Sequence, residues 1–109
     1  MNVVVDLPAV RPGRLAARLT AQELTAQVRE VLRLVRGARR EPRPDGVRLV
    51  LHLDVRAIAA LADAVRAAAD ALPFWSFRLL AEPPACWLEV TGGGRAGEMA
   101  RAVFEELER

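Results

Sequence analysis

Residues Val47–Asp54 (VRLVLHLD) alternate between apolar and mostly polar positions, and the segments on both sides repeat their apolar residues at helical spacing. A period of two offers one side of a strand to a core, whereas the helical period offers one stripe of a helix. A chain that switches between these periods is built to lay helices on a sheet. In the strand, Val47, Leu49, Leu51 and Leu53 form one side, and Arg48, Val50, His52 and Asp54 the other.

Upstream, Leu24, Val28, Val31, Leu32 and Val35 form a single helical stripe. Thr20 and Glu23 have the spacing of a capping box at its start, and Gly37 stands where a C-terminal cap belongs. The segment 38–46 (ARREPRPDG) reads as a proline-broken loop with a turn signal at Asp45–Gly46. Downstream, Asp54 is placed to cap a second helix whose stripe is Ile58, Leu61, Ala62, Val65, Ala69 and Leu72, ended by Pro73. Phe74–Glu82 and Ala85–Thr91 read as two strands of a hairpin across Pro83–Pro84. Trp75, Phe77, Leu79 and Ala81 fall on the inward side of the first, and Cys86, Leu88 and Val90 on that of the second. A glycine loop precedes a last helix with Met99, Val103 and Leu107 as its apolar line, widened by Phe104.

At the amino terminus, Asn2–Leu7 (NVVVDL) reads as a β-branched strand stopped by Pro8. The expected architecture is therefore an α/β two-layer sandwich in the order β-α-β-α-β-β-α. It has a four-stranded mixed sheet, with helices mainly on one face. The 109 residues are expected to form one domain, with 1–19 its less regular part.

A content of 52% hydrophobic and 28% charged residues is that of a folded chain rather than a disordered one. The longest weakly charged stretch, Ala57–Leu72, contains Asp63, Arg66 and Asp70, so no membrane segment is expected. The start of the chain lacks a positive segment followed by an apolar run, and the single cysteine, Cys86, has no intrachain partner. Both features suit the cytoplasm.

All 16 basic residues are arginine. Arginine and alanine codons are favoured in GC-rich genes, which explains this preference without a binding role. Residues 1–48 carry ten arginines against five acids (+5), and residues 49–109 carry six against nine (−3). Opposed halves of this kind attract one another within a chain or between copies.

With helices on one face, the other face is expected to show Arg48, Val50, His52, Phe74, Ser76, Arg78, Leu80, Trp87 and Glu89. This mixture is too apolar for a solvated surface and too charged for a core. Arg48, His52, Phe74, Arg78 and Trp87 are its candidate contact residues, suited to a protein interface or to stacking unpaired bases. A second candidate is the arginine loop Arg36, Arg39, Arg40 and Arg43, which could meet phosphates, although Glu41 and Asp45 interrupt it. A third is the run 92–97, where Gly92, Gly94 and Gly97 match G-x-G-x-x-G at a strand-to-helix junction. There backbone N–H groups and Arg95 could hold an anion. The match lies too near the end of the chain for a dinucleotide fold, and no acidic residue stands at a following strand end.

His52 is the only histidine, and one distant cysteine does not complete a metal ligand set. No nucleophile, base and orienting carboxylate are grouped by spacing, so no catalytic residues, metal or cofactor are assigned. The expectation is a non-enzymatic interaction or regulatory module that self-associates or joins a larger assembly through the exposed sheet face. The alternatives are a single-stranded RNA or DNA binder using that face with the arginine loop, and a binder of phosphate-containing small ligands at the glycine loop.

Overall fold

The computed structural model describes residues 3–8, 21–72 and 74–105. Their elements are β1 (Val3–Leu7), α1 (Ala21–Leu34), β2 (Arg39–Arg43), β3 (Gly46–His52), α2 (Val55–Ala71), β4 (Ser76–Glu82), β5 (Ala85–Thr91) and α3 (Arg95–Glu105). The strands form a five-stranded sheet in the order β1-β4-β5-β3-β2, and every neighbouring pair is antiparallel. The expected four-stranded mixed sheet is thus replaced by a larger, wholly antiparallel one.

The difference lies in residues 39–43, which the prolines made look like a loop. They form an edge strand, paired to β3 from Arg39↔Val50 to Arg43↔Gly46. An edge strand leaves one row of backbone groups outside the ladder, so Pro42 is tolerated there despite its missing N–H. The Pro44–Asp45 turn closes this hairpin. The β4–β5 hairpin turns at Pro83–Pro84 as anticipated, and the peptide between these prolines is cis.

β3 and β4 run in the same direction with β5 inserted between them, so α2 connects strands that do not touch. α1 connects the two edges, from β1 to β2. Helices α1 and α2 lie over the same face. Strand residues Val5, Val47, Leu49, Leu51, Phe77, Leu79, Ala81, Cys86, Leu88 and Val90 are buried there, in one core with α1, α2 and α3.

The helix stripes follow the periodicity with small rotations. Val28, Val31 and Val35 of the α1 segment are buried, with Leu32 packed beside them. Gly37 ends that segment in the left-handed region, with φ +87°. The Thr20–Glu23 capping box, the Leu24 side chain, the irregular stretch 9–19, Pro73 and Leu107 lie outside the described residues or side chains. In α2 the Asp54 carboxylate accepts from the Ala57 N–H at 2.8 Å, as its position predicted. The innermost residues of α2 are Ile58, Leu61, Ala62, Val65 and Ala68, so Ala68 takes the place expected of Ala69. In α3 the buried line is Ala96, Gly97, Ala100 and Phe104, while Met99 and Val103 flank it. Small side chains let the α3 backbone lie close to the sheet, and the larger residues close its edges.

Phe74 and Trp75 precede β4 in a turn, where strict alternation does not apply. Both are buried. The Trp75 indole Nε1–H donates to the Ala96 carbonyl at 2.7 Å, and its ring meets Phe74 and Phe77 edge-on at 5.4 and 6.1 Å. Phe74 is therefore a core residue, contrary to its expected place on the exposed face. A polar partner for the indole N–H is what allows so large a ring to be sealed inside.

Candidate interaction face

Because successive strand residues point to opposite faces, burial of one set leaves the other on the far side of the sheet. Among the described residues no helix covers that side. Cross-strand pairing arranges it in rows. One row runs Val4↔Leu80↔Trp87↔Val50 and ends at Arg39 on the edge. Val4 is 66% exposed, whereas Leu80, Trp87 and Val50 are half-buried.

The adjacent row runs Asp6↔Arg78↔Glu89↔Arg48↔Glu41, one residue from each of the five strands. Its charges alternate in sign at every step. Arg48 donates through Nε and Nη2 to Glu89 Oε1 at 2.9 and 2.6 Å. On its other side Arg48 Nη1 lies 3.8 Å from Glu41 Oε1, and Glu41 Oε2 accepts from Arg39 at 3.0 Å. Opposite charges on adjacent strands each add roughly 0.2–1 kcal/mol, with the exposed pairs weakened further by water and salt.

Of the candidate contact residues, Arg48, His52, Arg78 and Trp87 stand on this face, together with Val50, Ser76, Leu80 and Glu89. Phe74 does not. The register adds Val4, Asp6, Arg39, Glu41 and Arg43, which had no face assigned. For the three β2 residues the sequence signal is the alternation of Arg39, Glu41 and Arg43, masked by Pro42 and Pro44.

The arginine cluster is not one patch. Arg39 and Arg43 stand on the open side of β2, Arg40 aligns with buried Leu49 on the other, and Arg36 is exposed between α1 and β2. The open side of the strands carries Arg39, Arg43, Arg48 and Arg78 against Asp6, Glu41, Glu82 and Glu89, four charges of each sign.

Each glycine of the G-x-G-x-x-G match has a structural reason. A Cβ on Gly97 would fall 2.6 Å from the Asp45 carbonyl oxygen, and one on Gly92 would fall 2.8 Å from the Ala96 Cβ. Gly94 adopts φ +53°, which disfavours a side chain. The loop's backbone groups are also engaged locally. The Gly92 N–H donates to Asp45 at 2.8 Å, the Ala96 N–H to Gly93 at 3.1 Å, and the Glu98 N–H to Gly94 at 3.3 Å. From α3, Arg101 Nη1 donates to the Arg43 and Pro44 carbonyls, each at 2.8 Å. The glycine loop thus joins α3 to the β2–β3 turn, while Arg95 stays exposed.

His52 is exposed at the end of β3, paired with Ala85. Cys86 is buried as expected, and desolvation pushes its thiol up to about 11. Such a thiol carries almost no thiolate at neutral pH and is a poor nucleophile. Among the described residues no three His, Cys, Asp or Glu side chains are grouped to hold a metal ion. No described helix is long and apolar enough to cross a membrane. A shallow cleft of about 240 Å³ lies between α2 and Pro83, lined by Val55, Ile58, Ala59 and Ala62, with Asp63 and Arg66 at its rim. Those two side chains pair with each other at 3.4 Å. The chain matches no protein family, no curated protein and no solved structure.

Proposed function

We propose that this protein is a non-enzymatic interaction module that associates with a second copy of itself through the open face of its sheet. The observation that carries this reading is the pairing of two rows, one apolar and one alternating in charge. An apolar row offers area whose removal from water drives association. A charge-balanced row makes the face complementary to itself, which a uniformly charged row would not be. A regulatory role or membership of a larger assembly would use the same face.

The face is of modest size. Five strands about 4.8 Å apart and roughly 20 Å long present roughly 500 Å² per copy, at the lower limit for a specific interface. The association is accordingly weak and reversible. Nucleic acid is a less suitable occupant, because four carboxylates offset four arginines on this face and would repel phosphates.

Sedimentation of the full chain from micromolar to millimolar concentration tests the reading. A concentration-dependent dimer that weakens on Trp87→Ala supports it. A strict monomer at the highest concentration overturns it, as would salt-sensitive retention of a polyanion that competes with association.

A further inference from the structure

From the two rows we infer the symmetry of the complex: a two-fold axis parallel to the strands, lying between β4 and β5 in the plane of contact. This deepens the preceding proposal and rests on its premise of self-association.

Copies meeting face to face are related by an axis in the plane between them. An axis across the strands laid along the charged row would place Arg78 on Arg78 and Glu89 on Glu89; laid along the apolar row it would place Arg39 on Arg39 and leave Glu89 over Ala85. An axis along the strands instead reverses strand order while keeping each row opposite its own kind. Centred on β5, it would oppose Arg78 with Arg48 and Glu89 with itself. Centred on β4, it would oppose Asp6 with Glu89 and Arg78 with itself. Both are repulsive.

Only axes between two strands set opposite charges together across the contact. Between β5 and β3, Glu89 would meet Arg48, but the apolar row would then place Leu80 over Arg39. Between β4 and β5, Arg78 meets Glu89 of the second copy, and Asp6 meets Arg48 of the second copy. The same axis sets Leu80 against Trp87 of the second copy, and Val4 against Val50 of the second copy. An axis between β1 and β4 would also match both rows, Asp6 with Arg78 and Val4 with Leu80, but it overlaps only two strands of each copy, whereas the axis between β4 and β5 matches both rows over four. Packed sheets cross at about 30° because each is twisted, so contacts nearest the axis align best. The central pairs, Arg78 with Glu89 and Leu80 with Trp87, therefore dominate.

A charge-exchange experiment decides the matter. Arg78→Glu alone and Glu89→Arg alone each create two like-charge contacts across the axis, and each should raise the dimer Kd by at least ~10-fold. An equimolar mixture of the two variants restores opposite charges at both contacts, so association returns as a heterodimer. With the axis between β5 and β3, Arg78 would face Glu41, and mixing would restore nothing. If the unaltered chain dimerises but the mixture does not, the inferred axis is wrong while self-association stands. If the unaltered chain is a monomer, the preceding proposal itself fails.

Both substitutions also place like charges beside each other within one sheet, so cooperative melting of each variant is checked first. Where either fails to fold, a half-isotope-labelled sample of the unaltered chain gives the answer. Intermolecular NOEs between the Trp87 indole and the Leu80 methyls are expected. NOEs from Trp87 to Trp87 of the second copy would overturn the axis.

Discussion

The two faces of the sheet share one backbone ladder yet are organised on different principles. On the covered face, neighbouring strands present Leu79, Leu88 and Leu49 in one row and Phe77, Val90 and Val47 in the next, all buried under helices. Contact there is dense and non-directional, and stability grows with the area removed from water. On the open face the rows differ from one another, one apolar and one alternating in charge. Lateral pairing contributes little to stability there, but it fixes a pattern that another surface can read. One face holds the chain together, and the other is the one proposed to distinguish partners.

The two tryptophans test this contrast most strongly. Trp75→Ala removes a sealed ring and an indole hydrogen bond, and should cost about 3–5 kcal/mol in denaturant unfolding. Trp87→Ala should cost less, about 1–2 kcal/mol in the monomer because its ring is only partly sealed, yet markedly weaken association. Similar losses of monomer stability from both would erase the distinction between the faces.

The glycine loop gives the next largest difference. Gly97→Ala should destabilise by about 1–3 kcal/mol because its Cβ meets the Asp45 carbonyl, although alanine is the better helix former. Gly93→Ala meets nothing within 4 Å and should be close to neutral. Equal thermal shifts for the two would show that the loop is not held by the close approach of α3 to the β2–β3 turn.

Asp54→Ala removes the N-cap of α2 and should cost ~1 kcal/mol, read as a lower denaturation midpoint with association unchanged, since α2 lies on the covered side. At neutral pH the smallest effect comes from Cys86. Its folded pKa lies above the ordinary thiol value of 9.0, at about 11. The folded state therefore holds the proton more tightly, and this contribution, intact below pH 9, declines as pH rises from about 9 to 11. Thiol alkylation at neutral pH should require unfolding, and rapid labelling of the folded chain would contradict the burial of this strand.

Much of the fold was legible in the residues. The alternation at 47–53 identified β3 and its faces, the stripe at 58–72 marked α2, and Asp54 announced its cap. Pro83–Pro84 marked a hairpin turn. The open face was legible as far as these strands reached, which is why Arg48, Val50, His52, Arg78, Leu80, Trp87 and Glu89 were placed together. β2 was hidden because its prolines and charges resemble a loop, and only its place at the edge makes Pro42 acceptable. Phe74 departs from its expected face because strand alternation holds only from Ser76, two residues further on.

Periodicity, capping and turn chemistry are local, so the sequence by itself determined which segments are helices, most of the strands and which side of each seeks a core. Strand order is not local. Each strand's pattern is compatible with several neighbours, and only closure of one core under three helices put β4 and β5 between β1 and β3. The opposed charges of the two halves were visible from the start as a net difference. Tertiary structure turned them into an alternating row by interleaving Arg78 and Glu89 from the acidic half with Asp6, Arg48 and Glu41 from the basic one.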